Sequence, residues 1–138
     1  MPFIRPGEPR DLEAVRAIQV ASPSAAQWEV AQYLLYDLLI ATNGVRLSGF
    51  LSGRHVAAGE YEILNLAVAP DCRRQGVARS LVEAYLHQAR GWIFLEVRSS
   101  NQAALWFYRS LGFEEVTTRP DYYQDPPEAA IVMKFHSC

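Results

Sequence analysis

Cysteine is scarce in this chain: Cys72 and Cys138 are the only two in 138 residues. Two thiols are too few for a disulfide framework or a structural zinc site. No stretch approaches the roughly eighteen consecutive apolar residues of a membrane span, and Met1-Pro2-Phe3-Ile4-Arg5-Pro6 is not followed by a signal-type apolar run. Excess charge is missing as well. A net charge of -2 gives no electrostatic reason to expect nucleic acid as a partner. The histidines, His55, His87 and His136, fall in a turn, a helix and near the chain end, and no pair has metal-ligand spacing within one element. Neither cysteine sits in a nucleophile context, and no Gly-x-Ser-x-Gly elbow occurs. These absences leave a metal-free protein of the reducing cytoplasm as the expectation.

What is present suits one domain over residues 1–138, since 50% apolar and 20% charged residues is an ordinary globular balance. Phe3-Ile4-Arg5 reads as a short strand, and Asp11 as the cap of a helix with Leu12, Val15 and Ile18 on one face. Ser24 and Gln27 have the form of a capping box, which predicts a second helix reaching about Tyr36. Leu38–Ala41 and Val45–Leu51 flank Asn43-Gly44, a type I′ hairpin signal. A second turn at His55–Gly59 leads into a strand at Tyr61–Val68. The next helix carries Val77, Leu81, Val82, Tyr85, Leu86 and Ala89 at helical spacing. Trp92–Val97 predicts a central strand buried on both faces. Asn101 caps a helix with Ala104, Phe107 and Leu111 on one side, and Gly112 ends it. A strand at Phe113–Thr117, a proline-rich loop and a strand at Ala130–Phe135 complete the chain. Strands 61–68 and 92–97, joined through a helix, should lie parallel in a right-handed crossover.

The most telling stretch runs from Ile63 to Ala78. A buried strand breaks at Pro70, turns through Arg73-Arg74, and enters a helix at Gly76-Val77-Ala78. Such an entry leaves backbone N–H groups at the positive end of the helix dipole, where they bind phosphate. Arg73, Arg74 and Arg79 add charge there. The loop is neither a Walker A sequence nor a G-x-G-x-x-G fingerprint. An ordinary strand-to-helix turn is the plain alternative.

Arg73-Arg74-Gln75-Gly76-Val77-Ala78 resembles the Q/R-x-x-G-x-G/A pyrophosphate loop of the GNAT acetyltransferase superfamily. The resemblance covers residues 60 to 135 well and the N-terminal half by element order alone. It implies an α/β (α+β) GNAT fold: a mixed, mostly antiparallel sheet of about seven strands, flanked by four helices, with a splayed parallel pair at its centre. It also implies acetyl-CoA as co-substrate. The diphosphate would lie on Arg73, Arg74, Gln75, Gly76, Val77, Ala78 and Arg79. The pantetheine would pair with the strand edge Leu66-Ala67-Val68 and meet Asn101, Ala104 and Tyr108.

The segment Leu105–Phe113 resembles the family's A-x-x-x-Y-x-x-x-G-F pattern, whose tyrosine sits beside the CoA sulfur. Tyrosine, with an ordinary pKa near ~10, can hand a proton to a departing thiolate. A core aromatic is the alternative for Tyr108, although Phe107 already occupies the apolar stripe and leaves Tyr108 turned about 100° from it. Glu96, set among apolar residues, needs a cationic partner or an uncharged form, and Arg98 two residues on is the candidate partner. Leu95-Glu96-Val97-Arg98-Ser99-Ser100-Asn101, with a tyrosine twelve residues after the glutamate, is similar to the RimI-type N-terminal acetyltransferases of ribosomal proteins. That likeness implies Glu96 as general base acting through water and Tyr108 as general acid. Glu62 is the rival base; on a period-two strand it would share its face with Leu64, Leu66 and Val68. Arg119, Tyr122 and Tyr123 match an Arg-x-x-Tyr-Tyr segment that contacts the substrate's N-terminal residues in RimI-like enzymes. Trp28 sits in a local pattern unlike theirs.

The expected function is acetyl transfer to a primary amine, foremost the α-amine of a protein or peptide N-terminus, by a monomer or homodimer. A small-molecule amine or a lysine side chain is the second acceptor class, and a catalytically silent acyl-CoA-binding module the third possibility.

Overall fold

One seven-stranded sheet, in the order β1-β2-β3-β4-β5-β7-β6, organises the computed structural model, which describes residues 2–124 and 126–138. The strands are β1 (Phe3–Pro6), β2 (Asp37–Thr42), β3 (Leu47–Ala57), β4 (Glu60–Val68), β5 (Gly91–Arg98), β6 (Glu114–Gln124) and β7 (Pro127–Ser137). The α-helices are α1 (Leu12–Val20), α2 (Val77–Gln88) and α3 (Gln102–Ser110). Every neighbouring pair is antiparallel except β4 and β5. Their parallel ladder holds at Glu60–Trp92, Tyr61–Ile93 and Glu62–Phe94 and goes no further.

Each face of the sheet buries its own cluster. Leu39, Leu51, Ile93, Leu95 and Met133 pack under Leu81, Val82 and Tyr85 of α2. On the opposite face Ile40, Phe50 and Ala67 meet Val15 and Ile18 of α1, with Val30 and Tyr33 beside them. Tyr85 is fully buried, and its hydroxyl donates to Asp37 at 3.0 Å. Burial of the phenol raises its pKa, so this donor stays protonated. It occupies the space over Gly53, where any Cβ would collide with the hydroxyl.

Several local expectations change. The second of the four helices is a 3-10 helix at Val30–Leu35. Gln27 forms no capping box, because its amide instead donates to the carbonyls of Gln19, Ser22 and Ala25 and stitches a loop. Asp11 precedes α1 without capping it, since its carboxylate accepts from Arg5 and from the Glu8 N–H. Only Gly44 of the Asn43-Gly44 pair has positive φ. Asn43 Oδ1 accepts from the N–H groups of Val45 and Arg46, giving a wider loop than a type I′ turn. β3 continues to Ala57 and narrows the second turn to the two residues before Glu60. β5 is fully buried on the Ile93-Leu95-Val97 face alone, its other face being only partly covered. The expected proline-rich loop is largely strand: β6 runs to Gln124 through a bulge between Arg119 and Tyr123.

The Arg5–Asp11 pair fastens β1 to the start of α1. Asp11 is 4% exposed, and hydrogen bonds from Arg5 and then from the Glu8 N–H hold its carboxyl below the usual range, outweighing burial. A depressed carboxyl stabilises the fold above its unfolded pKa, and that contribution is lost as pH falls through the folded value. Asp11→Asn should therefore cost about 1–3 kcal/mol at neutral pH. The gap between variant and parent in urea melts should shrink below about pH 4.

Candidate active site

Where β4 and β5 part beyond Glu62 and Phe94, a cleft of ≈ 1030 Å³ opens between them. Leu66, Ala67, Val68, Arg73, Ala78, Asn101, Ala104 and Tyr108 line it, as do Glu62, Glu96, Tyr122 and Tyr123. The loop 22–28 closes the side toward α1. Arg74, Gln75, Gly76, Val77, Arg79 and Arg119 lie outside the lining.

At the α2 end the chain leaves β4 through a 3-10 turn, Pro70–Cys72, and reaches Gly76 in the left-handed region with φ +78. That φ is strained for an L side chain even though a Cβ there would meet nothing. Among the described residues no side chain caps α2, so the first N–H groups of the helix keep their hydrogen-bonding capacity. Arg73 reaches toward the Ala21 carbonyl and the Ser22 hydroxyl at 3.4 Å, and Gln75 toward the Asp71 carbonyl at 3.5 Å. Arg79 turns to Ser110 and Glu83, and Val77 is buried in the α2 core.

Tyr108 reverses the helical-wheel expectation. It is the tyrosine that is buried, at 8% exposure, while Phe107 is half-buried at the cleft. Tyr108 packs edge-on against Phe107 and Phe113 with ring centroids 5.1 and 5.4 Å away. Burial pushes its pKa up. No hydrogen bond to its hydroxyl occurs among the described residues. Asn101 is the cap of α3, its Oδ1 accepting from the Ala104 N–H at 3.1 Å.

Glu96 is paired, but not with Arg98. Arg119 donates to Oε2 at 3.1 Å and the Tyr122 hydroxyl to Oε1 at 3.2 Å. β7 lies between their strands, and Ala130 pairs with both Arg98 and Arg119. So small a residue lets Arg119 reach across to β5. Arg98 turns to Glu128, which also accepts from Ser99 Oγ and the Ser100 N–H. Those hydrogen bonds, Ser100's first, lower the Glu128 pKa. The guanidinium groups of Arg98 and Arg119 stack 4.1 and 4.7 Å from the rings of Tyr123 and Tyr122. Burial raises both phenols, Tyr123 to about 12, and the Glu96 charge adds to the effect.

Glu62 lies on the face opposite to the expected one. Ser52 pairs with Asn65 and Gly53 with Ile63, so Leu64 is a bulge. Leu66 and Val68 therefore pack toward α2, while Asn65 and Ala67 turn toward α1 with Glu62. Arg54 grips Glu62 through Nε and Nη2 at 3.0 and 2.8 Å. Glu96 also points to the α1 side, because Ile93, Leu95 and Val97 fill the α2 core. Both carboxylates thus share one face beside the fork.

A buried polar cluster on the α1 side, not legible in the sequence, backs the cleft: Gln19 and Tyr33 lie behind the wall and Asn65 on its lining. Asn65 in the apolar run Ile63–Val68 was its one visible sign. Among the described residues no group of three or more His, Cys, Asp or Glu could hold a metal ion, and no helix is long and apolar enough to cross a membrane.

The ribosomal protein bS18-alanine N-acetyltransferase of Escherichia coli (strain K12) is 45% identical over 84 residues, which cover 56% of this chain and 57% of that protein. The chain thus spans about half the length of the curated relatives it matches. The crystal structure of the ribosomal-protein-S18-alanine N-acetyltransferase from Escherichia coli superposes with a TM-score of 0.84 at 32% identity, over 99% of this chain and 94% of that one. Ard1 from Thermoplasma volcanium gives a TM-score of 0.88 at 30% identity, over 97% and 96%. The model of the acetyltransferase (GNAT) family matches residues 11–113, from the start of α1 through both forked strands to the end of α3. With that match laid over the forked sheet and the glycine-turned helix entry, the chain belongs to the acetyltransferase (GNAT) family.

Proposed function

We propose that this protein is an acetyl-CoA-dependent N-acetyltransferase whose acceptor is the α-amine of a protein or peptide N-terminus. The fork between β4 and β5 carries the proposal, because it joins the uncapped start of α2 to a carboxylate pair through one continuous cleft. The similarity to enzymes named for acetylating a ribosomal-protein alanine supports the acceptor class. A cytoplasmic location accords with such an acceptor.

Acetyl-CoA would supply a thioester carbon open to attack by an amine. The N–H groups at the start of α2, with Arg73 and Arg74, would take its diphosphate, and the edge Leu66-Ala67-Val68 its pantetheine. A strand-end N–H would stabilise charge on the thioester oxygen. Tyr108, kept protonated by burial, would give its proton to the leaving sulfur. Glu96 would draw the proton from the amine through water, with Arg119 and Tyr122 fixing its two oxygens. An α-amine, with a reference pKa near ~8 against ~10.4 for lysine, needs only a modest base. Glu62 is the second candidate, facing the same side beside the fork.

Short peptides with a free N-terminus should speed acetyl-CoA consumption, and the same peptides blocked at the α-amine should not. Equal turnover of blocked, lysine-containing peptides would move the acceptor to side chains. Tyr108→Phe should lower kcat by about 10²-fold or more while leaving CoA affinity by calorimetry unchanged. Because its pKa is raised, Tyr108 should contribute no alkaline loss of rate below about pH 10. Between Glu96→Gln and Glu62→Gln, the substitution at the true base alone should remove the acidic limb of the kcat/KM profile.

A further inference from the structure

The polar cluster at the α1-side wall of the cleft joins elements far apart in sequence. The Asn65 amide nitrogen donates to Ala26 O at 2.8 Å, to the Tyr33 hydroxyl at 2.9 Å and to Gln19 Oε1 at 3.2 Å. Its Oδ1 accepts from the Leu66 N–H at 3.0 Å. Tyr33 donates to Gln19 Oε1 at 2.5 Å, and Gln19 Nε2 to the Trp28 carbonyl at 2.7 Å. Asn65, Gln19 and Tyr33 are all buried. Burial pushes the Tyr33 phenol up to about 12, so its role as donor is fixed across the working pH range.

The polarity of this cluster runs one way. Gln19 must present oxygen to Tyr33 and Asn65 so that its nitrogen can hold Trp28, and Asn65 must present nitrogen so that its oxygen can hold Leu66. The two amides therefore fix Ala26 and Trp28, both on the cleft wall, relative to the strand edge that follows the Leu64 bulge. Few apolar contacts do this in their place. Trp28 and Ala25 are only partly buried against the α1-side core, and Pro23 and Ser24 are not part of it.

We propose that Asn65 is a positioning residue for the acceptor: its carboxamide, directly at Ala26 and through Gln19 at Trp28, holds the wall 22–28 at the distance from β4 that admits the N-terminal peptide. The inference rests on the cleft being an acetyltransferase site, with the donor on the Leu66–Val68 edge and the acceptor on the α1 side. Asn65 lines the cleft with its amide nitrogen turned to Gln19, Ala26 and Tyr33 on the α1 side, so exchanging that nitrogen should act on the acceptor half of the cleft.

Asn65→Asp keeps the shape but turns the donating nitrogen into an acceptor facing Gln19 Oε1 and the Ala26 carbonyl. Acceptor KM should rise about tenfold or more, the effect of leaving buried partners unmatched. CoA affinity by calorimetry should stay within about twofold, and kcat should fall less than KM rises. Amide hydrogen exchange should quicken within 22–28 and not in α2 or β5. Tyr33→Phe, which keeps the ring against Phe50, should raise KM in the same direction. The double substitution should fall short of the product of the two effects, as members of one network do. An unchanged acceptor KM, or CoA affinity weakening in step with it, would overturn the inference. So would exchange quickening evenly across the domain, which marks general destabilisation. A parent protein that binds CoA but acetylates no amine would overturn the enzyme reading alone, and exchange at 22–28 in Asn65→Asp would then decide whether the amide holds the wall.

Discussion

A parallel ladder that stops after three residue pairs governs the rest of this molecule. Backbone N–H and C=O groups must be paired or solvated, and a strand that loses its neighbour mid-course offers an unpaired edge. On most sheets such an edge is outermost and blunted. Here it opens at the centre, with α2 at one end and β5 leaning away on the far side. β7 pairs along β5 from Gly91 to Arg98, which keeps β5 in a regular sheet while β4 departs from it. The fork is thus a gap stabilised from both flanks, with β3 holding one prong and β7 the other.

The bulge at Leu64 decides what the gap contains. One extra residue reverses the facing of everything before it, placing Glu62 on the α1 side with Asn65 and sending Leu66 and Val68 to the α2 core. The result is a division of labour between the two faces of one strand. Apolar side chains anchor the edge from beneath, while Glu62, Glu96 and Asn65 occupy the face that lines the cleft. β5 and the hairpin of β6 and β7 together build the remaining wall, with arginine stacked on tyrosine and paired with glutamate across the strands, twice over.

The order of elements and the parallel pair were legible because apolar periodicity, Gly76 and Asn101 act locally. Long-range partners were not. Nothing within a few residues of Glu96 announces Arg119, whose approach depends on β7 inserting between their strands and on Ala130 being small. Tyr108 and Phe107 were exchanged because a wheel built on Ala104, Phe107 and Leu111 misjudged the axis of α3, whose buried residues are Leu105 and Tyr108. The bulge at Leu64 was invisible for a related reason. An uninterrupted apolar run has no alternation from which a slip can be detected. The Ser24–Gln27 pair had the right letters for a cap, but the Gln27 amide finds stronger company in three carbonyls of the preceding turn.

Tyr85 in its notch over Gly53 has a mechanical consequence. The phenol works as a key in a keyway near the far end of α2. Sliding the helix by one residue would swing that ring by about 100° out of the slot and strip its bond to Asp37. Torsional freedom is therefore removed at one end of the rod, and the fan of N–H groups at the other inherits a fixed aim that its own approach, turned by a single glycine, could not impose.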